Sequence, residues 1–284
     1  ILESIKHSVS DWEKKNREDL KLLLAESGNW PFIHHRPYGT MANPTDTPKA
    51  IFVSTVKTDP LHVDVQFILK DQKNDFQLGI DLLNKLVDQP VFLGVEKIFS
   101  DYFGSIEGVQ HYTVQGPHPA GNLSLHIQKL CPLNIGERIW TVNAEDVANL
   151  GRFISSGIFC SRRTIAISGN AVEHPKYFQT SIGADLQPFL KKVGIIKEKI
   201  RVVNGDVLTG DTSFDRPFLG YFNNLVSIIP EGDKYRMFGW LPFIDNNILS
   251  LSNTSLSRIF NRKGFDVDTN LNGEERALVV TGEM

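Results

Sequence analysis

Short apolar runs alternate along the chain with stretches in which apolar residues recur every three or four positions. The first pattern predicts strands and the second predicts helices. Ser10-Asp11-Trp12-Glu13 has the form of a capping box, and Asn16 followed by Asp19 offers a second start. Leu20, Leu23 and Leu24 then share a face before Gly28, so a helix is predicted over 11–27. The stretch 30–48, with its prolines and glycines, reads as irregular. Residues 50–54 form a buried-strand run. A helical stripe of Phe76, Ile80, Leu83 and Leu86/Val87 predicts a helix over 71–88. Strands are predicted at 90–95, 109–114 and 138–142, and a helix at 144–156. This alternation predicts a parallel, layered α/β domain over 1–161. From Arg162 the rhythm changes. Strands at 163–169 and 177–183, a helix at 184–193 closed by Gly194, and a strand at 199–204 predict a small α+β unit over 162–232. Runs at 237–243 and 249–256 predict a β-rich extension over 233–284 with a loosely held end.

Composition narrows the function classes. The formal net charge is −3 and the pI is near 6.3, which lacks the basic excess of a nucleic-acid binder. The longest apolar runs, Ala50 to Val53 and Leu225 to Ile229, are strand-sized, far short of the roughly 20 residues that span a bilayer. The first residues lack the apolar stretch of a signal peptide. Cys131 and Cys160 belong to no C-x-x-C pair, which excludes a cysteine-ligated iron–sulfur cluster or a Cys₄ zinc site within this chain. They give no disulfide framework, so a reducing compartment fits better, with one bridge between them as the alternative.

The chemistry-bearing motifs of nucleotide enzymes are missing. No G-x-G-x-x-G follows a strand, and neither a phosphate-binding G-x-x-x-x-G-K-S/T nor a G-x-S-x-G occurs. The layout is of nucleotide type without nucleotide-type loops. Gly116-Pro117-His118-Pro119-Ala120-Gly121-Asn122-Leu123-Ser124-Leu125-His126 is the most unusual stretch, with two prolines and two glycines within its first six residues. Its prolines and glycines fix a sharp path that either sets domain geometry or turns backbone N–H groups toward a ligand or a neighbouring protein. His118 and His126 lack a third convergent metal ligand, and His34, His35 and His62 fare no better. Asp206, Asp211 and Asp215 read as turn residues. The segment His34-His35-Arg36-Pro37-Tyr38-Gly39 combines a cation, an aromatic ring and a constrained backbone, which suits a planar, polar-headed ligand such as a quinone and equally suits a surface loop.

These stretches resemble one family. Gly116-Pro117-His118-Pro119-Ala120-Gly121-Asn122 is similar to the G-P-H-P-A-G element of the A subunit of the sodium-pumping NADH:quinone reductase. Glu26-Ser27-Gly28-Asn29-Trp30, Arg36-Pro37-Tyr38, Lys49-Ala50-Ile51-Phe52-Val53, Asp59-Pro60-Leu61, Ala166-Ile167-Ser168-Gly169 and Phe238-Gly239-Trp240 resemble its further elements, in order along the chain. The resemblance implies a Rossmann-like layered α/β domain followed by a ubiquitin-like β-grasp domain of SLBB type. The family's N-terminal barrel-sandwich domain and helical C-terminal part would lie outside this chain. It implies a peripheral subunit on the cytoplasmic face of the bacterial inner membrane, docked on the integral membrane subunits and associated with ubiquinone. The complex is a translocase that oxidises NADH and exports sodium, and the isolated chain is expected to be inactive, with no redox centre of its own. Arg36, Pro37, Tyr38, Gly39 and His118 are the quinone-binding candidates, and Gly116, Pro117, Pro119 and Gly121 the docking turn. No catalytic residue or metal ligand is expected. FMN binding is expected to be absent, because the glycine-rich loop of the related complex I flavin subunit is missing. The alternatives are a scaffold without ligand and an independent flavin- or nucleotide-binding oxidoreductase.

Overall fold

The computed structural model describes residues 5–96, 100–212, 217–232, 235–236 and 267–272. The predicted strands at 237–243 and 249–256, Asp215 and the Phe238-Gly239-Trp240 element lie outside the described residues. The chain divides into two compact units, Ile1–Thr164 and Ile165–Met284.

The first unit begins with a 3₁₀ turn, Trp12–Lys14, and then α1 (Arg17–Glu26). The capping-box expectation is corrected here. Asp11 makes no side-chain cap, and Lys15 is extended at ψ 144° and interrupts the run. Asn16 caps instead, its side chain accepting from the Asp19 N–H at 2.8 Å. The stretch expected to be irregular contains a hairpin, β1 (Ile33–Arg36) and β2 (Thr40–Met41). Then come β3 (Ile51–Ser54), α2 (Val65–Leu69), α3 (Lys73–Leu86), β4 (Val91–Glu96), α4 (Ser100–Gly104), β5 (Gln110–Val114), α5 (Leu123–Leu130), β6 (Ile139–Asn143) and α6 (Ala144–Ser156). Three of these helices, α2, α4 and α5, are absent from the sequence prediction.

The sheet order is β2-β1-β6-β3-β4-β5. Strands β6, β3, β4 and β5 run parallel, whereas β1 is antiparallel to β6. The expected parallel sheet thus carries an antiparallel hairpin, β1–β2, at one edge. From β3 the chain steps outward to β5 and then returns to β6 on the other side. The reversal falls between β3 and β6, the place where open α/β sheets receive ligands at their carboxyl ends. Helix α5 buries Ile127 against Ala50, Phe52 and Ile139 on one face of the sheet. The predicted stripe of α3 is buried throughout, Phe76, Ile80, Leu83 and Leu86 being at most 1 % exposed. Each such side chain contributes about 1.5–3 kcal/mol through apolar burial.

The second unit is built on β7 (Arg162–Ser168), β8 (Lys176–Ser181), α7 (Gln187–Val193), β9 (Ile200–Asn204), β10 (Asp211–Thr212) and β11 (Leu225–Pro230). Its order is β10-β9-β11-β7-β8, with β11 parallel to β7 and antiparallel to β9. Leu190 and Val193 of α7 pack with Ile165, Ile167, Val226 and Ile228. A helix on a mixed sheet with a central parallel pair is a β-grasp arrangement, so the chain is an α/β unit followed by a β-grasp unit. A short parallel pair, β12 (Tyr235–Arg236) and β13 (Leu271–Asn272), follows. Asp206 is a turn residue as expected, accepting from the N–H groups of Leu208 at 2.7 Å and Thr209 at 3.0 Å. Asp211 is not, because it pairs with Asn204 in β10.

Candidate functional site

The constrained turn leaves the carboxyl end of β5 and leads into α5, whose N-cap is Asn122. Ala120 N–H donates to Pro117 O and Asn122 N–H to Pro119 O, each at 2.8 Å. Gly116 has a left-handed φ of 138°. The peptides before Pro37 and Pro119 are both cis. Gly116, Pro117, His118 and Pro119 are exposed. Thr58, in the loop after β3, approaches the turn closely. Its Oγ1 accepts from Gly121 N–H at 2.8 Å and lies 3.4 Å from His118 Nδ1. A Cβ on Gly121 would stand 2.8 Å from Thr58 N, so only glycine permits this approach.

Beneath the turn, His126 is buried at 6 % exposure. Its Nε2 lies 2.7 Å from Ala120 O and its Nδ1 3.0 Å from the Tyr112 hydroxyl. Burial holds the imidazole below its ordinary value of 6.5, although the Ala120 carbonyl opposes this. Burial likewise pushes the Tyr112 phenol well above its ordinary range.

The other candidate segment occupies the opposite end of the sheet. Arg36 pairs with Ile139, the first residue of β6, because β1 runs antiparallel to it. Pro37, Tyr38 and Gly39 follow in the exposed hairpin turn, where Gly39 N–H donates to His35 O at 2.8 Å. Tyr38 is 67 % exposed. Its ring lies 5.7 Å from that of His35 and takes the Arg138 guanidinium at 5.2 Å. Arg36 Nε is buried without a hydrogen-bond partner among the described residues. Nearby, Lys49 Nζ donates to Glu137 at 2.8 Å, and this bond holds the Glu137 carboxyl down to about 2. The five quinone-binding candidates are therefore not brought together. Arg36, Pro37, Tyr38 and Gly39 stand at the amino ends of the parallel strands, and His118 stands beyond their carboxyl ends. The four residue steps of β6 put roughly 13 Å between the two levels.

A third arrangement has no signature in the sequence. Arg163, 1 % exposed, is held between Asp146 at 2.7 Å and Glu145 at 3.3 Å. Asn143 donates to Asp146 at 3.2 Å, and Thr164 N–H donates to Glu145 at 2.7 Å. Burial pushes the Glu145 carboxyl up, against the pull of Arg163. Both carboxylates sit in the first turn of α6, directly after the carboxyl end of β6. That helix start favours negative charge, and here the chain's own side chains supply it. The cluster ties the start of α6 to Arg163 and Thr164, the last residues of the first unit. Among the described residues no group of three or more His, Cys, Asp or Glu side chains could hold a metal ion. Cys131 and Cys160 are both free thiols, not a bridge. Among the described residues no helix is long and apolar enough to cross a membrane.

Comparison with known proteins agrees with the two units. Residues 15–159 match the family model described as "NqrA second alpha/beta domain", and residues 164–214 match the SLBB-type "NQRA C-terminal domain". The chain is 33 % identical over 268 residues to the A subunit of the Na(+)-translocating NADH-quinone reductase of Rhodopirellula baltica, covering 94 % of this chain and 58 % of that protein. It is 31 % identical over 280 residues to the corresponding protein of Photorhabdus laumondii, covering 98 % and 62 %. The chain thus spans about 60 % of the length of these relatives. Among solved structures it resembles a chain of an NAD+-reducing NiFe-hydrogenase in the H2-reduced state, with a TM-score of 0.54 and 10 % identity over 81 % of this chain and 52 % of that one. At that identity the likeness is one of fold.

Proposed function

The chain belongs to the NqrA family, the A subunits of the Na(+)-translocating NADH-quinone reductases, and from that premise we propose that it serves as a peripheral subunit of a sodium-pumping NADH:ubiquinone oxidoreductase. In this reading it lies on the cytoplasmic face of a bacterial inner membrane, docks on the integral membrane subunits and helps to form the quinone site. It carries no redox centre of its own. FMN and NADH belong to its partners, and the isolated chain is inactive.

The observation that supports a quinone role is the Gly116–Asn122 turn. It presents exposed His118 beyond the carboxyl ends of parallel strands, where sheets of this kind bind ligands. A histidine N–H there can donate to a quinone carbonyl. The distant Arg36–Tyr38 segment, with its exposed aromatic ring over a cation, has the make-up of a protein contact. We assign it to docking.

The test is steady-state quinone reduction by the assembled complex. His118→Ala is expected to raise KM for quinone, and Tyr38→Ala to weaken retention of the chain in the complex during purification while KM holds. An unchanged KM for His118→Ala, in a complex that retains the chain, refutes the quinone assignment. A second reading, a scaffold without ligand, then takes its place.

A further inference from the structure

Two side chains, Thr58 and His126, hold the Gly116–Asn122 turn, and their hydrogen bonds bear on where the histidine protons lie. The Thr58 hydroxyl already accepts from Gly121 N–H at 2.8 Å. Its own proton can be donated to His118 Nδ1, which lies 3.4 Å away. A ring nitrogen that accepts a hydrogen bond is unprotonated, so with Thr58 as the donor the neutral His118 ring carries its proton on Nε2. The Ala120 carbonyl can only accept, so His126 Nε2, 2.7 Å away, must carry the proton. Nδ1 of the neutral His126 ring then accepts from the Tyr112 hydroxyl at 3.0 Å. Tyr112 reaches this position because Gly94 leaves room: a Cβ there would lie 2.6 Å from the phenolic oxygen.

We infer that Thr58 and His126 are positioning residues for this turn, and that they present His118 with its Nε2–H outward, as a donor for a ligand whose recognised atom is an acceptor such as a carbonyl oxygen. The inference rests on the quinone reading for the identity of the ligand, but not for the tautomers. Thr58 directs the His118 ring and seats Gly121. His126 holds Ala120, and with it the path between the two prolines. A turn fixed in this way loses little freedom when a ligand binds, which favours affinity without new contacts.

The experiment has two arms. In the first, the 284-residue chain labelled with ¹⁵N-histidine is examined by long-range ¹H–¹⁵N correlation at pH 8. His118 and His126 are both expected as Nε2–H tautomers, and Thr58→Val is expected to shift His118 toward a tautomer mixture. A His118 proton on Nδ1 in the unsubstituted chain overturns the inference, and so does a tautomer that Thr58→Val leaves unchanged. Because the first of these readouts needs no substitution, a variant that fails to fold cannot shelter the idea. In the second arm, quinone kinetics of the assembled complex are measured. Thr58→Val and Tyr112→Phe are expected to raise KM for quinone roughly threefold to tenfold, as for loss of one hydrogen bond, with kcat unchanged and Thr58→Ser restoring the KM. A fall in kcat with KM unchanged overturns positioning. If the tautomers are as assigned but His118→Ala leaves KM unchanged, the quinone reading fails while the clamp stands.

Discussion

Gly151→Ala tests the packing on which the first unit rests. In a free helix, alanine is better than glycine by about 1 kcal/mol, so propensity alone predicts a more stable protein. The structure predicts the reverse. A Cβ at Gly151 would stand 1.8 Å from Asp75 O and 2.8 Å from Gly79 N, both backbone atoms of α3. Gly79 mirrors it, since its Cβ would meet Val147 O of α6 at 2.0 Å. No flexible side chain can move aside. Relief to an ordinary contact of 3.4 Å requires the helices to part by roughly 1.6 Å. A gap of that size forfeits much of the dispersion energy between the facing surfaces. Such overpacking costs about 1–3 kcal/mol, occasionally more, and backbone against backbone belongs at the upper end. After the propensity gain, the net loss is about 1–2 kcal/mol. For a unit of this size the corresponding fall in Tm is roughly 2–8 °C. The assay is urea unfolding followed by far-UV circular dichroism and checked by thermal melting. Gly104→Ala is the control, because nothing lies within 4 Å of its Cβ and its φ is not left-handed. If Gly151→Ala is as stable as the unsubstituted chain, the close helix crossing is wrong.

Three further outcomes are expected. Arg163→Met leaves Glu145 and Asp146 buried without their cation and is expected to cost about 3–5 kcal/mol in urea unfolding; the deficit should shrink as pH falls and Glu145 takes up a proton, and a loss under about 1 kcal/mol contradicts the cluster's structural role. His126, held below 6.5 by burial, binds fewer protons folded than unfolded, so its contribution to stability is present above 6.5 and lost as pH falls through its folded value; an NMR titration midpoint at or above 6.5 speaks against the buried neutral ring. Glu137 has the same sign, its carboxyl being held at about 2 against an ordinary 4.5, so stability it lends with Lys49 is lost as pH falls from 4.5 toward 2; in Lys49→Met that acid-side loss should diminish, and an unchanged acid limb would contradict the pairing.

What is legible in the sequence is whatever depends on near neighbours. Helices α3 and α6 carry their own apolar periodicity, and β3 and β4 are short apolar runs, so each is predicted to within two or three residues. Strand β1 is hidden because Ile33-His34-His35-Arg36 has weak strand character. It exists because β6, more than a hundred residues later, supplies its hydrogen bonds. Helix α5 is hidden by its setting, since its N-cap Asn122 lies inside the stretch that reads as a turn. The candidate site divides in the same way. The constrained Gly-Pro-His-Pro turn is legible because its residues constrain themselves. Thr58, 63 residues from Gly121, and Tyr112, 14 residues from His126, have no local signature. The ion cluster around Arg163 joins residues 17 and 18 apart through the turn after α6, and no spacing announces it.

The separation of the two candidate segments carries the functional argument furthest. The resemblance marks Arg36-Pro37-Tyr38 and Gly116-Pro117-His118-Pro119 alike, and from sequence alone both could line one ligand site. Antiparallel pairing of β1 with β6 decides against this, because it carries Arg36 to Ile139 while β3 and β5 deliver Thr58 and the Gly116 turn to the far end. A ligand head of one ring cannot touch both levels across a strand length of roughly 13 Å. In the proposed reading the two segments therefore serve separate contacts. The end that has a rigid polar turn, a clamped histidine and the carboxyl termini of parallel strands is the one suited to hold a small acceptor. The end that has an exposed tyrosine over an arginine, with Met41 also exposed in the hairpin, is suited to meet another protein. If a single substitution at Tyr38 and a single substitution at His118 changed quinone KM equally in an otherwise intact complex, this division would be wrong.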